Sequence, residues 1–491
     1  MKKYKILFST IVIILISGEC FSQTRYEPNW ESLDSRPVPS WYTNAKFGIF
    51  IHWGPYSVPA FSKVGAYSEW YWMSLVSPER DKEGHMLTKE FHNRIYGENF
   101  TYPDFVPMFT AEMYDPDQWA DIFKKSGAKY VVLTSKHHDG YTLWPSAESD
   151  KSWGRPWSST NSGPGRDLLG ELTESVRKTD LKMGIYYSLY EWFNPLYTSD
   201  VDLFVEKHMF PQFKDVVEKY KPSLIFSDGE WEHPHTTWKS RELLSWLYNE
   251  SASKEDVVIN DRWGIGTRHH HGGYYTTEYG SGMPNADVPW EENRGMAYSF
   301  GYSRTENFED YNSTQELLYM LVDIVSRGGN FLLDIGPTAD GRIPVIMQER
   351  LLEMGDWLEV NGEAIYGTKL WQKTCQWSKG KVQDAERGEY NVTYDIMKLT
   401  VSPDKGFAAK EIFFTKKGNT LYGICPVYPK NQLIIKGVKL GTGSTVEMLG
   451  TYKTLKWKQQ GENVVIEVPA LNPSEVPCEY AWTFKLSNVK D

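Results

Sequence analysis

Cysteine is scarce in this chain. Four occur in 491 residues, and Cys20 falls in the N-terminal leader. Cys375, Cys425 and Cys478 are widely spaced in the last quarter and show no metal-ligand spacing, which leaves either one disulfide or buried thiols. Basic charge is in deficit, with 53 Lys and Arg against 64 Asp and Glu. Binding a phosphate backbone favours a basic surface, so no nucleic-acid partner is expected. The chain has no G-x-G-x-x-G, no G-x-x-x-x-G-K-[ST], no serine nucleophile elbow and no H-E-x-x-H. Only one long apolar run exists, Ile6 to Ser17, behind Lys2, Lys3 and Lys5. It is too short to span a bilayer comfortably and reads as a signal peptide over 1–22, with cleavage after Ser22. Lipidation at Cys20 is the lesser alternative, because Glu19 precedes it. The expected product is exported, periplasmic or secreted, with no membrane insertion of the mature chain.

What is abundant is aromatic: 15% of residues, including 20 Trp and 31 Tyr. Sugars present C–H faces that stack on flat rings, so a carbohydrate partner fits, and a Trp-rich core fits equally well. Over the first three-quarters, strand-like and helix-like segments alternate. KFGIFIHW, KYVVLTSKHHDG, LKMGIYYSLYEW, LIFSDGEW, VVINDRW and NFLLDIGP read as strands. DPDQWADIFKKSGA has Asp115 as N-cap and Pro116 in the first turn of a helix. VDLFVEKHMFPQFKDVVEKYK is helical with an interruption at Pro211. This order predicts a parallel sheet covered by helices. At least five strands end in His, Asp, Glu, Tyr or Trp, which favours a closed (β/α)₈ barrel with one functional rim over an open sheet. After Gly367 the segments become short, alternating and separated by turns. The expected organisation is a catalytic α/β barrel over 23–366 and an all-β sandwich over 367–491.

The strand ends collect His52, Trp53, His137, His138, Tyr186, Tyr187, Asp228, Asp261 and Arg262, and two loops add Glu69 with Trp70 and Glu278. Neighbours on a strand face opposite ways, so His137–His138 is not automatically a chelate, and no metal or other cofactor is expected. His269–His270–His271 reads as an exposed loop. Paired carboxylates fit glycoside hydrolysis, in which one attacks the anomeric carbon and one protonates the leaving group. Asp228 suits the first role, at a rigid strand end with Gly229 leaving room for a sugar; a turn-capping role is the alternative.

KFGIFIHWGPYSVP, EWYW, KHHDGYTLWPS, YYSLYEW, SDGEW, NDRWG, SFGYSR and SRGGNFLLDIGPTADGRIP occur in this order between Trp30 and about Pro344. Together they resemble the α-L-fucosidases of glycoside hydrolase family 29, in which a sandwich follows the barrel. The resemblance implies a retaining, exo-acting enzyme with Asp228 as nucleophile, working on fucosylated glycans without a cofactor. It implies that His52, Glu69, His137, His138 and Arg262 bind the sugar and that Trp70, Tyr187 and Phe300 form an aromatic wall for the C5 methyl group. For the acid/base it points to Glu278 in TTEY, with Glu291 in PWEE as the alternative and Glu292 as a solvated neighbour. Members often carry asparagine where this chain has Asp334. A galacto-configured substrate and a non-catalytic glycan-binding protein are the rival readings. A homo-oligomer is compatible with the fucosidase reading.

Overall fold

The computed structural model describes residues 25–283, 288–383, 394–451 and 454–490. The leader read over 1–22, including Cys20, lies outside them. Eight strands form the central sheet: β1 Phe47–Ile51, β2 Tyr130–Lys136, β3 Lys182–Ser188, β4 Leu224–Asp228, β5 Val258–Ile259, β6 Tyr275–Glu278, β7 Trp290–Gly295 and β8 Asn330–Ile335. Their order is β5-β4-β3-β2-β1-β8-β7-β6, and every pair is parallel. Gly273 N and Tyr274 N both donate to Ile259 O, at 3.1 and 3.2 Å, and so join the two edges. The sheet is therefore a barrel.

β1, β2 and β4 are buried at every residue, as strands covered on both faces must be. Phe50, Tyr186, Phe226 and Leu332 pack inside the barrel, while alternate residues such as Ile49, Ile51 and Ile225 join the outer core under the helices. The helix after Asp115 runs Pro116–Lys125, with the Asp115 carboxylate accepting from Asp117 N and Gln118 N. Such a cap contributes about 1 kcal/mol. Pro211 does not break its helix. A π turn over Val205–Met209 precedes Phe210–Tyr220 and puts the proline in a first turn, where its missing N–H costs least.

Two expectations change. Glu278 and Glu291 lie in strands, β6 and β7, although TTEY and PWEE lack the apolar runs of the other strands. Neighbouring strands supply the pairing that local composition does not. The His269–His271 stretch is a turn but is partnered: His269 N donates to Asp261 Oδ2 at 3.0 Å, and His271 stacks on Trp30 at 4.3 Å.

The C-terminal region forms three antiparallel sheets among the described residues, of five, three and two strands, over a core that includes Phe414, Leu421, Ile435, Val464 and Phe484. The strand Gln432–Lys436 alternates exposed and buried residues, matching its sequence pattern. Among the described residues, Cys375, Cys425 and Cys478 form no disulfide, and no helix is long and apolar enough to cross a membrane.

Candidate active site

The C-terminal ends of the strands enclose a cavity of about 250 Å³. Asp228 closes β4, in register with Ser188 of β3. Tyr186 Oη donates to its Oδ2 at 2.8 Å, and Arg262 Nη1 donates to its Oδ1 at 2.8 Å. His138 Nε2 lies 3.5 Å from Oδ2, and its Nδ1 lies 2.7 Å from Ser188 Oγ. Gly229 follows with φ 76°, and a Cβ there would fall 2.3 Å from the Tyr190 ring. Only glycine allows this turn beside the acid.

Arg262 organises the far wall. Its Nε donates to Thr276 Oγ1 at 3.0 Å and its Nη2 to Glu278 Oε2 at 3.2 Å. Asp228 and Glu278 are thus held by the two terminal nitrogens of one planar guanidinium. Tyr67 Oη donates to the other oxygen of Glu278 at 2.8 Å. Glu69 sits in the 3₁₀ turn Ser68–Trp70 and accepts from Gly301 N at 2.8 Å. Burial pushes its carboxyl up to about 7.

β2 ends at Lys136, so His137 and His138 lie beyond the strand and both reach the cavity despite being neighbours. Burial lowers His137 to about 3 and pushes His52 and His138 well below the ordinary imidazole value. The three rings are neutral hydrogen-bonding groups. Among the described residues no set of His, Cys, Asp and Glu converges as metal ligands. The apolar wall combines Trp70, Trp231, Phe226 and Phe300, with Phe300 stacked on His52 at 4.9 Å.

Of the residues read from the sequence, His52, Glu69, Trp70, His137, His138, Asp228, Arg262, Glu278 and Phe300 line this cavity. Tyr187 does not. It points outward, donating to Gln212 Oε1 at 2.8 Å beneath the Lys136 ammonium, and its neighbour Tyr186 faces the cavity instead. The side-chain period of two along β3 decides between them. Glu291 is also displaced. It is fully buried near the start of β7, opposite Asn330, and accepts from Tyr42 Oη at 3.1 Å and from Tyr130 Oη. It does not line the cavity. Glu292 is buried rather than solvated, bonded to Thr277 and beside Arg294. Asp261 is buried and accepts from Thr276. Tyr67, Asn293, Trp231, Phe50 and Phe226 complete the lining and were not selected from the sequence. Inward parity marks Phe50 and Phe226 once the barrel is assumed; Tyr67 carries no comparable signal.

A parallel barrel that gathers carboxylates, neutral imidazoles and rings around a sugar-sized cavity at its strand ends has the architecture of a glycoside hydrolase. The alpha-L-fucosidase family profile matches residues 13–363, and that of the alpha-L-fucosidase C-terminal domain matches 405–487. This chain belongs to the α-L-fucosidase family. It is 43% identical over 478 residues to the human tissue alpha-L-fucosidase, covering 95% of this chain and 92% of that one. It is 40% identical over 506 residues to the alpha-L-fucosidase of Dictyostelium discoideum, covering all of both chains. The crystal structure of Thermotoga maritima alpha-fucosidase with a mechanism based inhibitor superposes with a TM-score of 0.76 at 36% identity, covering 94% of this chain and all of that one.

Proposed function

We propose that the protein is an exo-acting, retaining α-L-fucosidase that releases terminal fucose from glycans, with Asp228 as nucleophile and Glu278 as acid/base. The observation that carries this reading is the shared guanidinium: Arg262 bonds both carboxylates at the cavity wall, whereas Glu291 lies outside the lining. A carboxylate Oδ of Asp228 attacks the anomeric carbon as the glycosidic C–O bond breaks, and Glu278 gives its proton to the departing oxygen. The resulting fucosyl ester is cleaved when Glu278 takes a proton from water and the oxygen of that water attacks the same carbon, freeing Asp228. Two inversions return the original anomer. The size of the cavity supports exo action, since about 250 Å³ accommodates one sugar ring rather than a chain. The imidazoles and Glu69 suit the hydroxyls, and the ring wall suits the methyl group of a 6-deoxy sugar. Export follows on this reading from the leader at 1–22.

The test is release of 4-nitrophenol from 4-nitrophenyl α-L-fucoside by the wild type and by Asp228→Gly, with and without azide. Wild-type turnover, its loss in the variant and an azide-dependent β-fucosyl azide product are expected. Turnover that survives the substitution overturns the assignment of Asp228. Glu278→Ala should slow aryl fucosides with poor leaving groups far more than those with good ones; if Glu291→Ala does so instead, the acid is misassigned.

A further inference from the structure

Beneath the cavity lies a carboxyl group that no step above uses. Asp334 is on β8, in register with Phe50 of β1 and on the same inward face as Leu332. Its side chain is fully buried. Oδ1 lies 2.7 Å from Nδ1 of His52, and Oδ2 is buried with no hydrogen-bond partner. His52 lines the cavity, and its ring is gripped between Phe300, stacked at 4.9 Å, and the edge contact with Phe50 at 4.7 Å. Among the described residues no protein group bonds its Nε2. A neutral imidazole has one donor and one acceptor nitrogen. The bond at Nδ1 therefore determines what Nε2 can offer a ligand.

The geometry points to Asp334 as a positioning residue that keeps its proton as a neutral acid, donates a hydrogen bond to His52 Nδ1 and thereby leaves Nε2–H as a donor to a sugar hydroxyl. This rests on the reading of the cavity as a fucose site. The surroundings disfavour the alternative in which Asp334 is an anion. Glu69 faces it from the 3₁₀ turn, Tyr56 and Tyr279 approach as neutral phenols, and among the described residues its carboxyl group bonds His52 alone. Burial, reinforced by the charge of Glu69, raises the Asp334 carboxyl well above the ordinary range. Burial, with His137 and Arg262 alongside, holds His52 well below its own. A proton kept on the acid leaves both members of the pair uncharged, which a dry site favours. The orphaned Oδ2 fits as well: an unpaired carbonyl oxygen is far less costly to bury than an unpaired anionic one. With the proton on Oδ1, the single ring proton of His52 must reside on Nε2, aimed away from Asp334.

Two measurements test this on the full-length protein. The first is the ¹⁵N spectrum of histidine-labelled enzyme at about pH 6, with the His52 signals identified by their loss in His52→Gln. The expected result is a neutral ring protonated on Nε2; a ring protonated on Nδ1, or doubly protonated, overturns the proposal. The second is the affinity for L-fucose measured by calorimetry. Asp334→Leu removes the donor and should weaken binding about tenfold. Asp334→Asn, whose amide N–H can donate to Nδ1, should recover most of that loss. Equal affinities in the leucine variant and wild type, or an asparagine variant as weak as the leucine one, overturn the assignment. If the leucine variant does not fold, the tautomer in wild type and Asp334→Asn still decides. Absence of fucose binding by the wild type would instead sink the fucosidase reading and leave the tautomer result intact.

Discussion

At the residue scale, Tyr186 and Tyr187 provide the sharpest contrast. They are adjacent and chemically identical, yet one donates to Asp228 and the other to Gln212 on the outside of the barrel. Tyr186→Phe should lower kcat/KM for an aryl fucoside by about ten- to a hundredfold, which corresponds to roughly 1.4–2.8 kcal/mol of transition-state stabilisation. Tyr187→Phe should leave the kinetics near wild type and cost about 0.5–1.5 kcal/mol of stability, read by denaturant unfolding. Equal kinetic losses in the two variants would contradict the strand parity argued for β3. The sequence announced an acid and an aromatic at these strand ends. It did not announce which of two neighbouring rings turns inward, because that depends on how the strand is set in the closed sheet.

At the element scale, the sandwich is tied to the barrel by buried charge as well as by apolar packing. Asp323, in the helix Thr314–Ser326, pairs with Lys410 of the strand Lys410–Lys417 at 2.9 Å and with Arg327 at 2.8 Å. All three side chains are at most 4% exposed. Removing one member leaves uncompensated charge in a dry site. Asp323→Ala should therefore lower stability by about 3–5 kcal/mol, measured by urea unfolding. An unchanged midpoint would show that the junction bears no load. This supports a bracing role for the C-terminal region. The turn-separated, alternating strands of that region were legible locally, as Gln432–Lys436 illustrates. β6 was not: TTE carries no apolar run, and its strand identity comes from pairing with β7.

For the whole molecule, buried titratable groups set the dependence on pH. Burial raises Glu69, Asp139, Glu291, Glu292 and Glu306 to about 7 each. A carboxyl raised on folding contributes stability that is present below its unfolded value and lost as pH rises through its folded one. The histidines act in the opposite sense. His52, His137 and His138 are depressed by burial, so the unfolded chain takes up more protons than the folded one below about 6.5. Between about pH 4.5 and 7 the raised carboxyls outnumber the depressed imidazoles, and stability should fall as pH rises; below about 4 the imidazole effect is joined by Glu191, which His208 and Lys136 hold below the ordinary range despite its burial, and stability should fall with acid. A melting temperature highest at about pH 4–4.5 is expected from scanning calorimetry. A maximum above pH 7 would mean that these carboxyls are ionised in the folded protein.

The sequence by itself determined the class of fold, the sandwich that follows it and most of the pocket. Repeated strand–helix periodicity leaves little but a covered parallel sheet, and polar residues at the ends of apolar strands have one rim on which to meet. It also carried the two acids at Asp228 and Glu278 to the same cavity. Tertiary structure alone decided that Arg262 joins those acids, that Tyr186 rather than Tyr187 serves Asp228, that Glu291 and Glu292 are interior groups, and that Asp334 stands behind His52. Each of these depends on the register and facing of strands distant in the chain. Composition does not encode that facing, since a shift of one residue along a strand turns every side chain to the other side.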